Sequence, residues 1–257
     1  MLHCESRQGR REGQESLERK AQVQAFLPVL PLQPLPAMKL PIIAIDGPSG
    51  AGKGTVARTI ATALGFRHVD SGAMYRAVGW KAVETHVSLD DEEAVARLAD
   101  RAQIDVSTAR VTIDGVDVTK AIRTPEIDRA AAAVARLPRV RAVLVERQRE
   151  IGIGGGVVME GRDIGTVVFP HADVKIYLDA SPEERARRRA LDPAHSLGAA
   201  PVSEVGTALA ARDELDRTRT ASPLYAAPDA VIVDTTDKSI DKVVKEVLAV
   251  IREKSEV

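Results

Sequence analysis

Ile42-Ile43-Ala44-Ile45-Asp46 is an apolar run that leads straight into Gly47-Pro48-Ser49-Gly50-Ala51-Gly52-Lys53-Gly54-Thr55. The first part suits a buried strand. Beyond the loop, apolar residues recur with helical spacing from Val56 to Leu64 and stop near Gly65. A chain that must pass from strand through a glycine loop into a helix has few folds open to it. Glycine lets the backbone curl until its N–H groups face one point, and the helix N-terminus adds a partial positive charge there. Lys53 brings a mobile full charge suited to outer phosphates. Gly47, Pro48, Ser49, Gly50, Ala51, Gly52, Lys53, Gly54 and Thr55 are therefore the candidate phosphate cradle. An ordinary glycine-rich turn between strand and helix shares the outline, and the lysine with both flanking elements argues against it. Gly54 directly after the lysine, with the hydroxyl delayed to Thr55, departs from the commonest form.

The rest of the chain repeats the alternation. Strands are expected at Phe66–Val69, Val157–Glu160, Val174–Asp179 and Ala230–Asp234. Between them lie helical stretches through Val78–Val83, Glu92–Ala102, Thr124–Ala135, Arg139–Glu150, Ser181–Arg189, Arg212–Arg219 and Ile240–Ile251. Such alternation predicts an α/β fold, a parallel sheet with helices on both faces. Short alternating runs around Asp114-Gly115, from Gln103 to Ile122, read instead as a small antiparallel insert. Hydrophobic residues make up 44% of the 257 residues and aromatics only 3%, so the core must be built from Ala, Val, Leu and Ile. Residues 1–37 differ: they are polar at first, then carry Pro28, Pro31, Pro34 and Pro36, and are expected to form a disordered extension ahead of a domain spanning 38–257, with Met38 as the used start. A docking role for that proline-rich arm is the other reading.

A net charge of −1 gives no global pull toward nucleic acid or an anionic membrane. No apolar run reaches the roughly 18 residues of a membrane span. The single cysteine, Cys4, leaves no intrachain disulfide and fits a reducing cytoplasm. The five histidines show no metal-ligand spacing.

In an open α/β sheet, ligands gather beyond the carboxyl ends of the strands. Three strands here end in polar clusters: Asp46 with the glycine loop, Asp70-Ser71 with Arg76, and Glu160-Gly161-Arg162-Asp163. Arg185, Arg188, Arg189, Arg212, Arg217 and Arg219 add more positive charge than one phosphate chain needs. That surplus suits an enzyme holding two phosphorylated substrates, whose mutual repulsion must be offset by fixed cations. The segment Arg212–Arg219 also reads as an exposed, charge-laced helix, and its period leaves both options open.

Taken with Asp70-Ser71-Gly72-Ala73-Met74-Tyr75-Arg76, Ile122-Arg123-Thr124 and Gly161-Arg162-Asp163-Ile164-Gly165-Thr166-Val167-Val168, the glycine loop closely resembles the bacterial cytidylate kinases, within the nucleoside monophosphate kinases of the P-loop class. Gly then Thr after the lysine is usual there. The resemblance covers about Ile42 to Ile251. It implies transfer of the γ-phosphoryl of ATP to CMP or dCMP with Mg²⁺, the metal carried by phosphates and water rather than a protein cage. Carried over by position, Ser71, Arg141 and Asp163 read cytosine; Arg76, Arg162 and Arg219 grip the CMP phosphate; Arg212 and Asp216 hold the sugar. Lys53, Arg162, Arg185, Arg188, Arg189 and Arg219 carry the catalytic roles, with a short lid at about 185–201 and the insert at about 103–122 as the CMP-binding lobe. Two positions depart: Ala132 stands where the family commonly has a serine touching the sugar, and Glu160 where aspartate is frequent. The expected partners are small-molecule nucleotides, with neither nucleic acid nor membrane, and a monomer is the expected state. Kinases of UMP or AMP, shikimate- or gluconate-type kinases, and a nucleotide-binding protein without turnover are the other readings.

Overall fold

The computed structural model describes residues 39–107, 109–192 and 201–255. The expected extension at 1–37 and lid positions 193–200 lie outside the described residues.

Five parallel strands form the central sheet: β1 (Ile42–Asp46), β2 (Arg67–Asp70), β6 (Val157–Glu160), β7 (Val174–Asp179) and β8 (Val231–Asp234). Their order is β2-β6-β1-β7-β8. All five residues of β1 and all four of β6 are buried, as a strand covered on both faces requires. Side chains of β1 alternate between two cores. Ile43 and Ile45 pack with α1 (Lys53–Leu64) and the closing helix α8 (Ile240–Ser255), while Ala44 faces Met159, Ile164 and Val168. The pairing aligns the strand ends: Ile45 and Asp70 both pair with Glu160, and Asp46 pairs with Tyr177. The polar clusters of three sequence-distant strands thus share one rim.

From β2 the chain enters α2 (Ser71–Glu84), α3 (Glu92–Arg101), then the antiparallel strands β3 (Ile104–Val106), β4 (Val111–Ile113) and β5 (Val116–Asp117). Asp114 and Gly115 both adopt positive φ, 51° and 78°, which the tight β4–β5 hairpin turn demands. Helices α4 (Pro125–Val134) and α5 (Pro138–Ile151) follow. Thr124 caps α4, its Oγ1 accepting from Ile127 N at 3.2 Å with Pro125 in the first turn, as its sequence predicts. A separate apolar core, including Met74, Val78, Val95, Ile113, Ile122 and Leu144, binds α2 to α5 and these strands. Helices α6 (Pro182–Ala190) and α7 (Val202–Thr218) complete the chain between β7 and β8.

Several boundaries shift from those expected. Helix α1 begins at Lys53 rather than Val56, and α2 at Ser71, directly from the end of β2. Asp70 caps α2, its carboxylate accepting from Ala73 N at 3.1 Å. After β6 comes one π-helical turn, Ile164–Val168, which no sequence period announces.

Candidate active site

The glycine loop is shaped by contacts that exclude side chains. Gly47, Gly50 and Gly52 have φ of 145°, 81° and 89°. A Cβ on Gly47 would stand 2.0 Å from the Leu178 carbonyl oxygen, and one on Gly50 2.9 Å from Arg185 Cβ. Gly54 answers to a different neighbour, since its Cβ would lie 3.2 Å from Glu160 Oε1. Lys53 is buried and donates to the Pro48 carbonyl at 2.7 Å, folding back over its own loop. Burial, reinforced by the positive charge of Arg162, pushes its ammonium down to about 7.

At the end of β1, Asp46 turns away from the loop and accepts from Ile164 N at 2.8 Å and Gly165 N at 2.7 Å. It thereby fixes the π-helical turn that follows Arg162 and Asp163. Burial raises its carboxyl to about 6 against the pull of those two N–H groups. Glu160 pairs with the buried His68, Oε1 to Nε2 at 3.1 Å, and its carbonyl accepts from Ser71 Oγ at 2.7 Å. Gly161 makes that approach possible: a Cβ there would be 2.6 Å from Ser71 Oγ.

The loop forms one wall of a cleft of about 760 Å³. Its lining includes Ser49 to Thr55, Ser71, Arg76, Arg141, Arg162, Asp163, Arg188, Arg189, Arg212, Asp216 and Arg219, so the topology gathers nearly every expected site residue. Twelve arginine and lysine side chains line it against six carboxylates. The cations are held in place by specific partners. Arg141 donates to Asp163 in a buried pair, with its guanidinium 5.4 Å from the centre of the Tyr75 ring. Arg219 lies 3.9 Å from the other oxygen of Asp163 and 3.4 Å from Asp216, and donates through Nε to the Ser222 carbonyl at 2.6 Å. Arg162 donates to Asp216 at 3.1 Å. Burial and the charges of Arg162 and Arg76 push Arg212 down to about 10. Buried nitrogens without a hydrogen-bond partner remain on Arg141 (Nε), Arg212 (Nε) and Arg219 (Nη2), a donor set suited to an anionic, oxygen-rich ligand.

Several expected residues stand outside the cleft lining, among them the exposed Arg217. Gly47 and Pro48 support the loop from beneath, outside the cleft lining. Arg185 is buried and turned away: it donates to the Ala180 carbonyl at 3.1 Å, the Ser49 carbonyl at 3.3 Å and the Asp213 carboxylate. It clamps the glycine loop to α7. Ala132 is half-buried and outside the lining, which takes Ala131 and Ala135 from the same helix. The competing view of Arg212–Arg219 as an exposed helix fits only its outer side, since Asp213 and Asp216 are buried.

Asp128 and Thr235 join the site with no local signal, whereas Glu184 meets Arg187 and Arg188 at helical spacing. Asp128 accepts from Arg76 at 2.9 Å and from Arg189 at 2.5 Å. Thr235 links Arg188 to the loop, accepting from Arg188 Nη1 at 2.9 Å while its own hydroxyl lies 3.2 Å from the Ala51 carbonyl. Glu184 accepts from both Arg187 and Arg188, which hold its carboxyl down to about 2.

A family model for cytidylate kinase matches residues 43–253. The cytidylate kinase of Desulfitobacterium hafniense (strain Y51) is 48% identical over 217 residues, spanning 83% of this chain and 94% of that protein. That of Pelotomaculum thermopropionicum is 50% identical over 214 residues, spanning 81% and 95%. With a family match along nearly the whole described fold and relatives covered almost end to end, the chain belongs to the cytidylate kinase family.

Proposed function

We propose that this cleft holds two phosphorylated nucleotides together and passes the terminal phosphoryl group of ATP directly to CMP or dCMP, giving ADP and CDP or dCDP. The carrying observation is the surplus of twelve cationic side chains over six carboxylates around one cleft, more than a single nucleotide needs. Phosphoryl transfer to CMP or dCMP is the reaction of the family to which the chain belongs.

On the acceptor side, Ser71, Arg141 and Asp163 read the base. Cytosine offers an amino group to a carboxylate and a carbonyl to a guanidinium, which suits the buried Arg141–Asp163 pair. Uracil has a carbonyl where cytosine has the amino group and would face the Asp163 carboxylate with like polarity. Arg76, Arg162 and Arg219 grip the acceptor phosphate, and Arg212 with Asp216 orients the sugar. The antiparallel sheet at 103–122 belongs to this acceptor lobe.

On the donor side, the backbone of Gly47–Thr55 cradles the phosphates, and Lys53 swings from the Pro48 carbonyl onto the outer ones. Arg188 and Arg189 steady the phosphoryl group in flight, and Arg185 acts from behind by fixing the loop. The segment 185–201 is the lid that excludes water, so that the phosphoryl reaches CMP rather than hydrolysing. Among the described residues no group of three His, Cys, Asp or Glu side chains stands ready to hold a metal. Mg²⁺ entering with ATP would keep an oxygen shell of phosphates and water, and it would neutralise charge on the β- and γ-phosphates. Transfer is in line and needs no covalent enzyme intermediate.

All the residues in these roles come from one chain, so a monomer suffices, made of a kinase domain at 38–257 preceded by an extension. No described helix is long and apolar enough to cross a membrane, and small nucleotides are the partners, in the cytoplasm. Calorimetric titration tests the base assignment. CMP and dCMP should bind at least about tenfold tighter than UMP, the worth of one buried hydrogen bond. Asp163→Asn should erase that preference, and equal binding of CMP and UMP by the unaltered protein would refute it.

A further inference from the structure

We infer that Asp128 is a positioning residue, one carboxylate that joins the acceptor-phosphate arginine Arg76 to the donor-side Arg189 and sets the geometry of both. This rests on the two-substrate reading of the cleft given above.

Asp128 lies in the first turn of α4 and outside the cleft lining, so it acts through other groups. Its Oδ1 accepts from Arg76 Nε at 2.9 Å, and its Oδ2 from Arg189 Nη2 at 2.5 Å. Its backbone carbonyl accepts from Arg212 Nη1 at 3.2 Å. Three arginines from three helices, α2, α6 and α7, therefore converge on one residue of a fourth. All three line the cleft on their other sides.

The choice of atoms matters. Arg76 gives Asp128 its Nε, which leaves both terminal nitrogens for a phosphate, the fork that makes arginine a bidentate oxyanion ligand. Arg189 gives Asp128 one terminal nitrogen, Nη2. Without the carboxylate, the three guanidinium groups would repel one another in a poorly hydrated place. Burial alone would raise the Asp128 carboxyl, yet Arg76 and Arg189 hold it below the usual carboxylate range. A cleft that binds acceptor and donor on separate elements needs such a strut, because the two phosphates must meet in line and within reach.

The charge and the geometry of Asp128 act in opposite directions, and this gives the test. Asp128→Asn removes a negative charge beside the phosphate arginines, so ground-state attraction for a phosphate dianion grows. It also frees Arg76 and Arg189 from their common anchor, so alignment in the transition state is lost. Steady-state kinetics of the full-length protein with ATP and CMP should show kcat down by about tenfold to a hundredfold. The KM for CMP should be unchanged or lower, and inorganic sulfate should inhibit more strongly than it does the unaltered enzyme. Asp128→Glu, which restores the charge and two acceptor oxygens, should recover most of kcat. A merely structural role would instead lower the melting temperature and leave kcat per folded molecule unchanged, and that outcome overturns the inference. So does a rise in KM with kcat preserved. The unaltered enzyme in the same assay separates the two levels: if it fails to use CMP, the functional reading falls, whereas CMP turnover with an indifferent Asp128→Asn removes only the strut.

Discussion

Arg141 and Asp163, 22 residues apart in sequence, form a buried ion pair beside Tyr75. The Asp163 carboxylate also faces Arg219 at 3.9 Å. A pair so placed is poised to read a base because both members are already desolvated and oriented. It is also exposed to mutation, since removing one member strands the other without water. Asp163→Asn and Arg141→Met should each destabilise the protein by about 3–5 kcal/mol. The double variant should lose much less than the sum of the two. Urea unfolding of the four proteins in a double-mutant cycle measures the coupling, and strict additivity would show that the pair contributes nothing as a unit.

Lys53 makes proton traffic a signature of donor binding. With its ammonium pushed down to about 7, it is only partly charged near neutral pH. Donor phosphates add negative charge beside it and screen Arg162, so ATP binding should draw a proton from solution between about pH 7 and 8. Calorimetry of ATP binding in buffers of different ionisation enthalpy measures that uptake, and Lys53→Met should abolish it. Linkage fixes a second sign. Lys53 falls from 10.5 to about 7 on folding, so the unfolded chain binds more protons across that window. Its contribution to stability is full above 10.5 and is lost as pH falls through 7.

Gly47→Ala should be far more damaging than Gly65→Ala, although both positions have positive φ, 145° and 67°. The new methyl at 47 would meet the Leu178 carbonyl at 2.0 Å, whereas nothing lies within 4 Å at 65. Gly65→Ala should cost about 1 kcal/mol through the left-handed backbone alone. Gly47→Ala must also move β7 or the loop and should cost about 3 kcal/mol or more. Thermal unfolding ranks them, and equal losses would remove the close approach of loop and β7 as the reason for glycine.

Arg185 and Arg162 belong to the same expected catalytic set, and their surroundings predict different failures. Arg185 has its donors committed to Ala180, Ser49 and Asp213. Arg185→Met should chiefly cost stability, about 3 kcal/mol, by stranding the buried Asp213. Arg162, at the cleft, should on truncation to alanine keep the fold and lose about 3 kcal/mol or more of transition-state binding, a hundredfold or greater fall in kcat/KM. Melting temperatures alongside kinetics separate the two, and a near-normal turnover for Arg162→Ala would sink its assigned role.

What the sequence disclosed and what it hid divide along range. Thr124-Pro125 and Asp114-Gly115 act through neighbours a few residues away, and the order of apolar strand, glycine loop, lysine and helix over Ile42–Leu64 is written in consecutive residues, so cap, hairpin and strand–loop–helix unit could be read directly. Gly54 looked like a deviation from the commonest loop, and the fold supplies its cause in the Glu160 carboxylate. Long-range partners left no such trace. Asp128 meets Arg76 across 52 positions and Arg189 across 61, and Asp213 meets Arg185 across 28. No period encodes which arginine a distant carboxylate will find, so cradle and clamp arginines look alike in the chain. The π-helical turn at Ile164–Val168 was equally silent, because Asp46, 118 residues away from Ile164, is what holds it.

The most direct measurement is coupled detection of ADP release from ATP and Mg²⁺ across CMP, dCMP, UMP and AMP, with a control lacking acceptor. The structure predicts ADP release that depends on CMP or dCMP, a kcat/KM at least about a hundredfold lower for UMP and AMP, and negligible release in the control. ADP release that ignores the acceptor, or that runs as fast with AMP as with CMP, would contradict the assignment of this cleft.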